Sequence, residues 1–346
     1  MKNLFSSVWT VLAPSSLRLV LRGVAVAFTA ALAAASAMAA DRVVVQIDWL
    51  PSGDKGPFYV ALHEGFYASE GLEVTLQTGR GSADALTKVA TGAADIASSG
   101  ISAVLSAAAK GPMPLKVVYT AYTESPESFF VIKGSGIRTL KDLQGRPVAA
   151  TALSTSRVLM PLVLERNGVS VDQLKLQLVD ANVLMPMLVS GRVDAISSFR
   201  TQVPLANSLL QPRGKEVEVL PWSMFGLETY GMVLAASDAM IKERPDVLRR
   251  FLRAFHKAML LSLKDPAVTG RALKKSAPEI DPQVAEAQFR ASIPLIDNAT
   301  SRRDGIGTIE PDLLKKSWGW VAASERYPLD KLDPERMVAR LNWADN

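Results

Sequence analysis

The 346-residue chain contains no cysteine, and this absence excludes several kinds of chemistry. Disulfide bonds, thiolate metal ligands, thiol catalysis and a lipid-modified cysteine are all ruled out. Histidine is almost as scarce, because His63 and His256 are the only two. Neither has a second histidine at a metal-binding spacing, so both are predicted to be structural and no metal site is expected.

Motifs for catalysis and for cofactor binding are also missing. The stretch Gly79-Arg80-Gly81 lacks the third glycine of a dinucleotide fingerprint. Neither a GxxxxGK[ST] phosphate loop nor a GxSxG nucleophile elbow occurs in the chain. The sequence therefore predicts no catalytic residue and no cofactor, which argues against an enzyme.

The positive charge of the chain depends partly on its first forty residues. They contain Lys2, Arg18 and Arg22 but no acid, then an alanine-rich apolar run that closes on a small-x-small triplet at residues 37–39. This order predicts a signal peptide over residues 1–40, with an uncleaved anchor as the alternative. Cleavage would leave 36 basic and 34 acidic residues, without the basic tract that nucleic-acid binding needs. Export without a lipid anchor favours a Gram-negative periplasm.

The rest of the chain alternates between strand-like and helix-like segments, and it does so twice. Strands are predicted at residues 43–48, 73–77, 94–98, 146–150, 176–179 and 193–197, and helices at 57–65, 83–91, 102–110, 156–167 and 183–189. Pro186 is expected in the first turn of the last of these helices. About three hundred residues exceed one core, so the pattern predicts two α/β lobes with parallel-type sheets.

A weak internal repeat supports the two lobes. Residues 91–99 (TGAADIASS) match residues 190–198 (SGRVDAISS) as a helix end, a glycine, an Asp-led strand and a serine pair. Each serine pair is predicted at the carboxyl end of a strand, where open α/β sheets bind ligands. Long amphipathic helices follow residue 238, and those carrying Trp318, Trp320 and Trp343 are expected to pack on the first lobe.

Several motifs resemble a branch of periplasmic binding proteins that includes nitrate, sulfonate, taurine and thiamine-pyrimidine binders. The resemblance rests on residues 48–61 (DWLPSGDKGPFYVA), 64–67 (EGFY), 70–74 (EGLEV), 79–82 (GRGS), 92–95 (GAAD), 140–145 (LKDLQG) and 244–245 (RP). It implies a type II periplasmic-binding-protein fold, in which two α/β lobes joined by a two-segment hinge enclose a central ligand cleft. The implied division is lobe 1 over residues 41–125, lobe 2 over 126–225, and a return to lobe 1 with the C-terminal helices over 226–346. Hinges are expected near residues 123–128 and 221–230.

Twelve residues are predicted to bind the ligand because they combine aromatic walls with a few polar groups at the expected cleft. They are Trp49, Phe58, Tyr59, Arg80, Ser98, Ser99, Thr151, Ser154, Thr155, Phe199, Glu228 and Tyr230. The aromatic members favour a planar heterocycle, whereas Arg80 and two helix N-termini would suit an anion such as an alkylsulfonate, taurine or nitrate. Core packing of Trp49, a surface salt bridge of Arg80, a hinge salt bridge of Glu228, and plain helix capping by the hydroxyls remain alternatives.

The resemblance implies a monomeric periplasmic component of an ABC importer, which delivers a small organic ligand to a membrane permease driven by a separate ATPase. A sensory binding domain is one alternative. Another is a periplasmic enzyme acting on a small heterocycle, because the chain also resembles the thiamine-pyrimidine synthase of fungi. That enzyme carries an active-site histidine where this chain has Lys55, and a cysteine-rich segment that this chain lacks.

Overall fold

The structure is a computed structural model that describes residues 40–343. Its strands form two five-stranded sheets. The predicted signal peptide lies outside the described residues. Within residues 40–343, no helix combines the length and the apolar character that crossing a membrane requires.

The strands and helices alternate along the chain up to the tenth strand, and helices follow. The strands are β1 (Asp41–Gln46), β2 (Leu72–Gln77), β3 (Ile96–Gly100), β4 (Leu115–Thr120), β5 (Glu127–Ile132), β6 (Pro147–Thr151), β7 (Lys175–Val179), β8 (Ala195–Phe199), β9 (Val217–Pro221) and β10 (Met232–Ser237). The helices are α1 (Gly56–His63), α2 (Phe66–Ser69), α3 (Ser82–Ala90), α4 (Ile101–Lys110), α5 (Ser156–Arg166), α6 (Ala181–Val189), α7 (Val203–Leu210), α8 (Asp238–Glu243), α9 (Pro245–Lys264), α10 (Ala267–Ser276), α11 (Pro282–Ile296), α12 (Ala299–Asp304) and α13 (Pro311–Glu325).

The two sheets have the same plan. The first has the order β2-β1-β3-β10-β4 and the second β7-β6-β8-β5-β9. In the first, β1 lies parallel to β2 and β3 while β10 is antiparallel to β3. In the second, β6 lies parallel to β7 and β8 while β5 is antiparallel to β8. The repeated sequence therefore falls on β3 and β8, the central strands, and the predicted pair of α/β lobes is confirmed.

Two segments connect the sheets. The chain leaves lobe 1 after β4 and enters lobe 2 at β5, and it returns between β9 and β10. The segments are hydrogen-bonded to each other, because the amide of Gly231 donates to the carbonyl of Tyr122 at 3.0 Å. The predicted lobe boundaries after residues 125 and 225 fall within these segments, as do most of the predicted hinge residues. The boundaries and the hinge motion stay predictions.

Apolar side chains bury both faces of the first sheet. Val43 and Val45 of β1 point to one face and are fully buried, and Val44, on the other face, packs against a separate apolar cluster, as expected for a strand covered on both sides. Helix α9 packs on one face through its apolar stripe, and Tyr67 stacks on Phe251 with ring centroids 5.2 Å apart. The amphipathic pattern from residue 245 predicted this helix correctly. Its apolar side is buried and its cationic side faces outward.

One expectation about the helices was wrong. Helix α6 begins at Ala181, so Pro186 lies in its second turn, not its first. The carbonyl of Asn182 consequently lacks an amide partner within the helix, but Asn182 is exposed and water can replace it.

The C-terminal helices pack on lobe 1, and one of them also contacts lobe 2. Helix α13 contacts α4 of lobe 1, where Ser106 Oγ donates to Glu325 at 2.7 Å. It also contacts α5 of lobe 2, where Ser324 Oγ donates to the carbonyl of Val158 at 2.6 Å. The guanidinium of Arg166 lies 3.9 Å from the ring centre of Trp320. This helix has small and aromatic groups on two faces, so it bridges the lobes.

Candidate functional site

The side chain of Asp48 connects the C-terminal ends of β1 and β3. Strand β1 ends at Gln46, two residues earlier than predicted, so Asp48 lies in the following loop. Ser98 Oγ of β3 donates to Asp48 Oδ1 at 2.7 Å and accepts the amide of Asp48 at 3.0 Å. Ser82 Oγ, at the start of α3, donates to Asp48 Oδ2 at 3.0 Å. These bonds fix the edge of lobe 1 where β1 and β3 end.

A buried lysine, Lys55, joins the group formed by Asp48, Ser82 and Ser98. We call this group, with Asp54 and Lys55, the polar frame. Lys55 ends a 3₁₀ turn at residues 53–55, and its Nζ lies 3.0 Å from Asp48 and 3.8 Å from Asp54. All three side chains are at most 8% exposed. Burial alone would lower the pKa of Lys55, but the two carboxylates raise it above its ordinary value. Likewise, burial would raise the pKa of Asp48, yet Lys55 and the serine hydroxyls lower it. Asp48 and Lys55 thus form a buried ion pair.

The edges of the two lobes are in direct contact beside this frame. Ser82 Oγ of lobe 1 lies 2.8 Å from Thr155 Oγ1 of lobe 2. The amide of Ala83 donates to the carbonyl of Leu153 at 3.2 Å. A Cβ atom at Gly100 would overlap the side chain of Thr155, so a glycine is needed there for close approach. The end of β3 and the start of α5 therefore meet without intervening space.

A second contact between the lobes consists of buried amides. Gln202 of lobe 2 donates from Nε2 to Asp54 Oδ1 at 2.9 Å. Its Oε1 accepts from Gln288 Nε2 of α11 at 2.8 Å. Gln202 and Gln288 are 4% and 3% exposed. Lobe 2 thus inserts one polar side chain into the buried frame of lobe 1.

A cavity of about 260 Å³ lies between the lobes next to Gln202. Both lobes line it, and no charged side chain is among the lining residues. These residues are Trp49, Leu50, Pro51, Ser52, Ala181, Asn182, Leu184, Met185, Pro186, Ser198, Gln202, Leu205 and Leu209. At its edge, the ring of Trp49 meets that of Phe199 edge-on, with centroids 5.7 Å apart. We call this the apolar interlobe cavity.

A second cavity, of about 500 Å³, is lined by α3, α4, α5 and the loop after β6. It contains Lys110, Arg157 and Glu325. Lys110 pairs with Glu325 at 2.8 Å, which leaves Arg157 as the cation available to an anion. A larger open groove of about 720 Å³ is lined only by residues 133–216 of lobe 2, so it does not lie between the lobes.

The structure brings some of the predicted residues to the lobe interface. Trp49 lines the apolar interlobe cavity and contacts Phe199. Ser98 holds Asp48, and Thr155 meets Ser82 across the lobes. Ser154 lines the second cavity. These positions are compatible with the predicted ligand role, which stays a prediction.

Two other predicted residues point into their own lobe. Ser99 Oγ donates to the carbonyl of Gly100 at 3.1 Å and is fully buried. Thr151 Oγ1, at the end of β6, is buried without a hydrogen-bond partner.

The aromatic residues of α1 are placed in the core of lobe 1. Phe58 is fully buried against Phe255, with ring centroids 4.6 Å apart. Tyr59 is 3% exposed, and burial raises its pKa to about 12. Neither lines an interlobe cavity. Their motif is apolar because α1 packs against α9 and α10.

Three further predicted residues have ordinary structural partners. Arg80 is 73% exposed and lies 3.6 Å from Asp84. Glu228 forms an exposed ion pair with Lys316 at 2.7 Å. Tyr230 is buried, and its hydroxyl accepts the amide of Glu310 at 2.7 Å. The surface salt bridges considered for Arg80 and Glu228 are the arrangements observed.

The residues that sequence reasoning missed are the polar ones at the lobe interface. Asp48, Asp54 and Lys55 stand in the motif used for the family resemblance, and three charges directly after an apolar strand were a usable signal. Gln202 and Gln288 gave none, because isolated glutamines are common on surfaces and only the fold brings these two together.

Comparison with solved structures identifies the fold. The alkanesulfonate-binding protein SsuA from Xanthomonas axonopodis pv. citri, bound to MOPS, superimposes with a TM-score of 0.67 over 86% of this chain and 98% of its own, at 17% identity. The desulfurization enzyme DSZB gives a TM-score of 0.55 over 87% and 97% of the two chains, also at 17% identity. The predicted periplasmic-binding-protein fold is confirmed, and one of these two proteins with that fold is an enzyme.

The chain belongs to the NMT1/THI5-like family, whose model matches residues 53–269. The riboflavin-binding protein RibY of Chloroflexus aurantiacus is 26% identical over 297 residues, 82% of this chain and 81% of its own. A formylaminopyrimidine-binding protein of Halalkalibacterium halodurans is 23% identical and covers 83% and 86%. A 4-amino-5-hydroxymethyl-2-methylpyrimidine phosphate synthase of Schizosaccharomyces pombe is 22% identical and covers 73% and 74%. The predicted family is confirmed, and these relatives include both binding proteins and a synthase.

Proposed function

We propose that this protein is the periplasmic solute-binding component of an ABC importer, which captures a small uncharged planar molecule between its lobes. It delivers that ligand to an inner-membrane permease served by a separate ATPase, and it acts as a monomer after signal-peptide removal. The observation that carries the proposal is the apolar interlobe cavity, lined by both lobes and by no charged side chain. Burial of a charged ligand there without a partner would be costly.

The size of the cavity favours a small ring system. Its volume of about 260 Å³ lies just below the range of about 300–1,000 Å³ for drug-sized ligands. The edge of Trp49, the proline ring of Pro51 and the thioether of Met185 offer flat and polarisable surfaces, and Asn182 offers an amide. A pyrimidine or a comparable heterocycle suits this lining better than a flavin with its sugar-alcohol chain.

Binding without chemical conversion is supported by the state of Lys55. An amine must be neutral to act as a nucleophile or a general base. Lys55 is paired with Asp48 and Asp54, which raise its pKa above the ordinary value despite the opposing effect of burial. It therefore stays protonated, although it stands where the fungal synthase has its active-site histidine.

Calorimetry with the purified mature protein tests this proposal. The panel is 4-amino-5-hydroxymethyl-2-methylpyrimidine, riboflavin and an alkylsulfonate, and mass spectrometry follows each mixture for product. We expect binding of the pyrimidine without turnover. A ligand at a hundred times its Kd would stabilise the protein by about 2.7 kcal/mol. Product formation would contradict the binding role, and permease and ATPase genes beside this one would favour transport over sensing.

An anionic ligand is the second candidate, and one observation favours it. Arg157 lines the second interlobe cavity, and no ion pair to it is present within residues 40–343. Stabilisation by the alkylsulfonate alone would support this candidate, and replacement of Arg157 by Ala would then remove the effect.

A further inference from the structure

The second contact between the lobes is a chain of three buried side chains that come from three parts of the molecule. Asp54 lies in the 3₁₀ turn before α1, Gln202 follows β8, and Gln288 lies on α11. Gln202 is the one member that lobe 2 supplies. Each of the three is at most 4% exposed. Water therefore does not compete for these hydrogen bonds.

The direction of this chain is fixed by the groups at its two ends. The backbone N–H of Gly53 can only donate, so Gln288 turns its Oε1 toward it, at 2.9 Å. Gln288 Nε2 then faces Gln202, whose Oε1 accepts at 2.8 Å. Gln202 Nε2 is left to donate to the carboxylate of Asp54 at 2.9 Å. Both amide orientations thus follow from chemistry, and a group that cannot donate at position 202 would break the chain.

Gln202 also satisfies a charge that lobe 1 cannot satisfy alone. A buried carboxylate needs several hydrogen bonds or a close cation. Asp54 receives a hydrogen bond from Ser52 at 2.6 Å, but Lys55 lies 3.8 Å away and is closer to Asp48. The donor from lobe 2 gives Asp54 a second hydrogen bond, to Oδ1, the oxygen that Ser52 also bonds, while Oδ2 faces Lys55. Lobe 1 therefore stabilises the contact with lobe 2 by offering an acceptor that is costly to leave unpaired.

We propose that Gln202 is the positioning residue that holds the two lobes together next to the apolar interlobe cavity. Its side chain both lines that cavity and forms the hydrogen bonds to Asp54 and Gln288. The position of the cavity wall contributed by lobe 2 thus depends on this amide. The proposal extends the proposed function, but its interlobe bonds involve protein atoms only, so it is testable without a ligand.

The absence of cysteine makes a direct distance measurement possible. Thr75 on β2 and Gln177 on β7 are exposed residues on the outer strands of the two sheets, and Thr75→Cys with Gln177→Cys gives one spin-label pair. Gln202→Glu keeps the shape but places a carboxylate against Asp54. We expect the ratio of short to long label distances to fall about tenfold or more, which corresponds to about 1.4 kcal/mol.

The matched control is Gln211→Glu, the same change at an exposed position of lobe 2. It is expected to leave the distances as in the parent protein. Combining Asp54→Asn with Gln202→Glu restores one donor and one acceptor and is expected to return the short distance. A merely structural loss would not be rescued in this way.

Three results would overturn the proposal. The first is that Gln202→Glu and Gln211→Glu give the same label distances. The second is that adding Asp54→Asn to Gln202→Glu does not restore the short distance. The third applies if Gln202→Glu does not fold, and it is that Gln202→Ala leaves the distances unchanged. A ligand panel that binds nothing would contradict the proposed function and leave these distances unaffected, so the two failures are distinguishable.

Discussion

The two lobes share a strand plan and a repeated sequence, yet their facing edges have different chemistry. In lobe 1, Ser98 is hydrogen-bonded twice to Asp48, and Lys55 pairs with the same carboxylate. In lobe 2, the equivalent Ser197 is buried with an unpartnered hydroxyl, as are Thr151 and Thr201. The difference arises because the strand registers place Thr151 of lobe 2 at the position that Asp48 occupies in lobe 1, so lobe 2 has no carboxylate there. The facing edge of lobe 1 thus carries a hydrogen-bonded group of charged side chains, whereas the equivalent positions of lobe 2 carry neutral ones.

The largest effect on this difference between the lobes is expected when Lys55, the cation of the polar frame, is removed. Lys55→Met would leave Asp48 and Asp54 as uncompensated buried charges, so we expect the free energy of unfolding to fall by about 3–5 kcal/mol. Urea denaturation at neutral pH measures this loss. Lys110→Met is the control, because Lys110 pairs with Glu325 but is 58% exposed, and its loss should cost about 1 kcal/mol or less. Equal losses in the two variants would show that the frame has no special role.

The repeated serines sharpen the comparison, because the same change is possible in each lobe. Ser98→Ala deprives the Asp48 carboxylate of a hydrogen bond, which should cost about 1.5–3 kcal/mol of unfolding free energy. Ser197→Ala removes a hydroxyl that has no partner, so it should be neutral or slightly stabilising. Urea denaturation at neutral pH measures the free energy of unfolding of both variants. A large loss for Ser197→Ala would indicate a hydrogen bond in lobe 2 that involves water.

The sequence predicted the fold well because the relevant signals are local. Apolar runs, glycine-ended helices and the stripe of α9 each depend on residues within a few turns of one another. The site was predicted only in part. Trp49 lies three residues after β1 and Phe199 ends β8, and the two rings meet at the cavity. Phe58 belongs to the apolar face of α1 and is buried for that reason. Gln202 contacts Asp54 across 148 positions, and no local pattern encodes such a pair.

Replacing Trp49 tests whether the apolar interlobe cavity binds the ligand. Trp49→Ala removes an aromatic wall, and we expect affinity for the ligand found by calorimetry to fall by about 2 kcal/mol or more, as at other buried aromatic contacts. The free energy of unfolding should change less, because the side chain is only partly buried. A loss of about 3–5 kcal/mol in stability with affinity unchanged would show that Trp49 is a core residue.

The smallest expected effect concerns Arg80, and it distinguishes a neutral ligand from an anionic one. Arg80 is 73% exposed and lies 3.6 Å from Asp84, so Arg80→Ala should change the free energy of unfolding by about 1 kcal/mol or less. It lines neither interlobe cavity, and a neutral heterocycle held by Trp49 and Met185 should bind the variant as tightly as the parent. If an alkylsulfonate were instead held by Arg80 after a rearrangement, loss of that buried charge partner would weaken binding by roughly 2–5 kcal/mol. Calorimetry of Arg80→Ala beside Trp49→Ala therefore decides whether a neutral or an anionic ligand binds between lobe 1 and lobe 2.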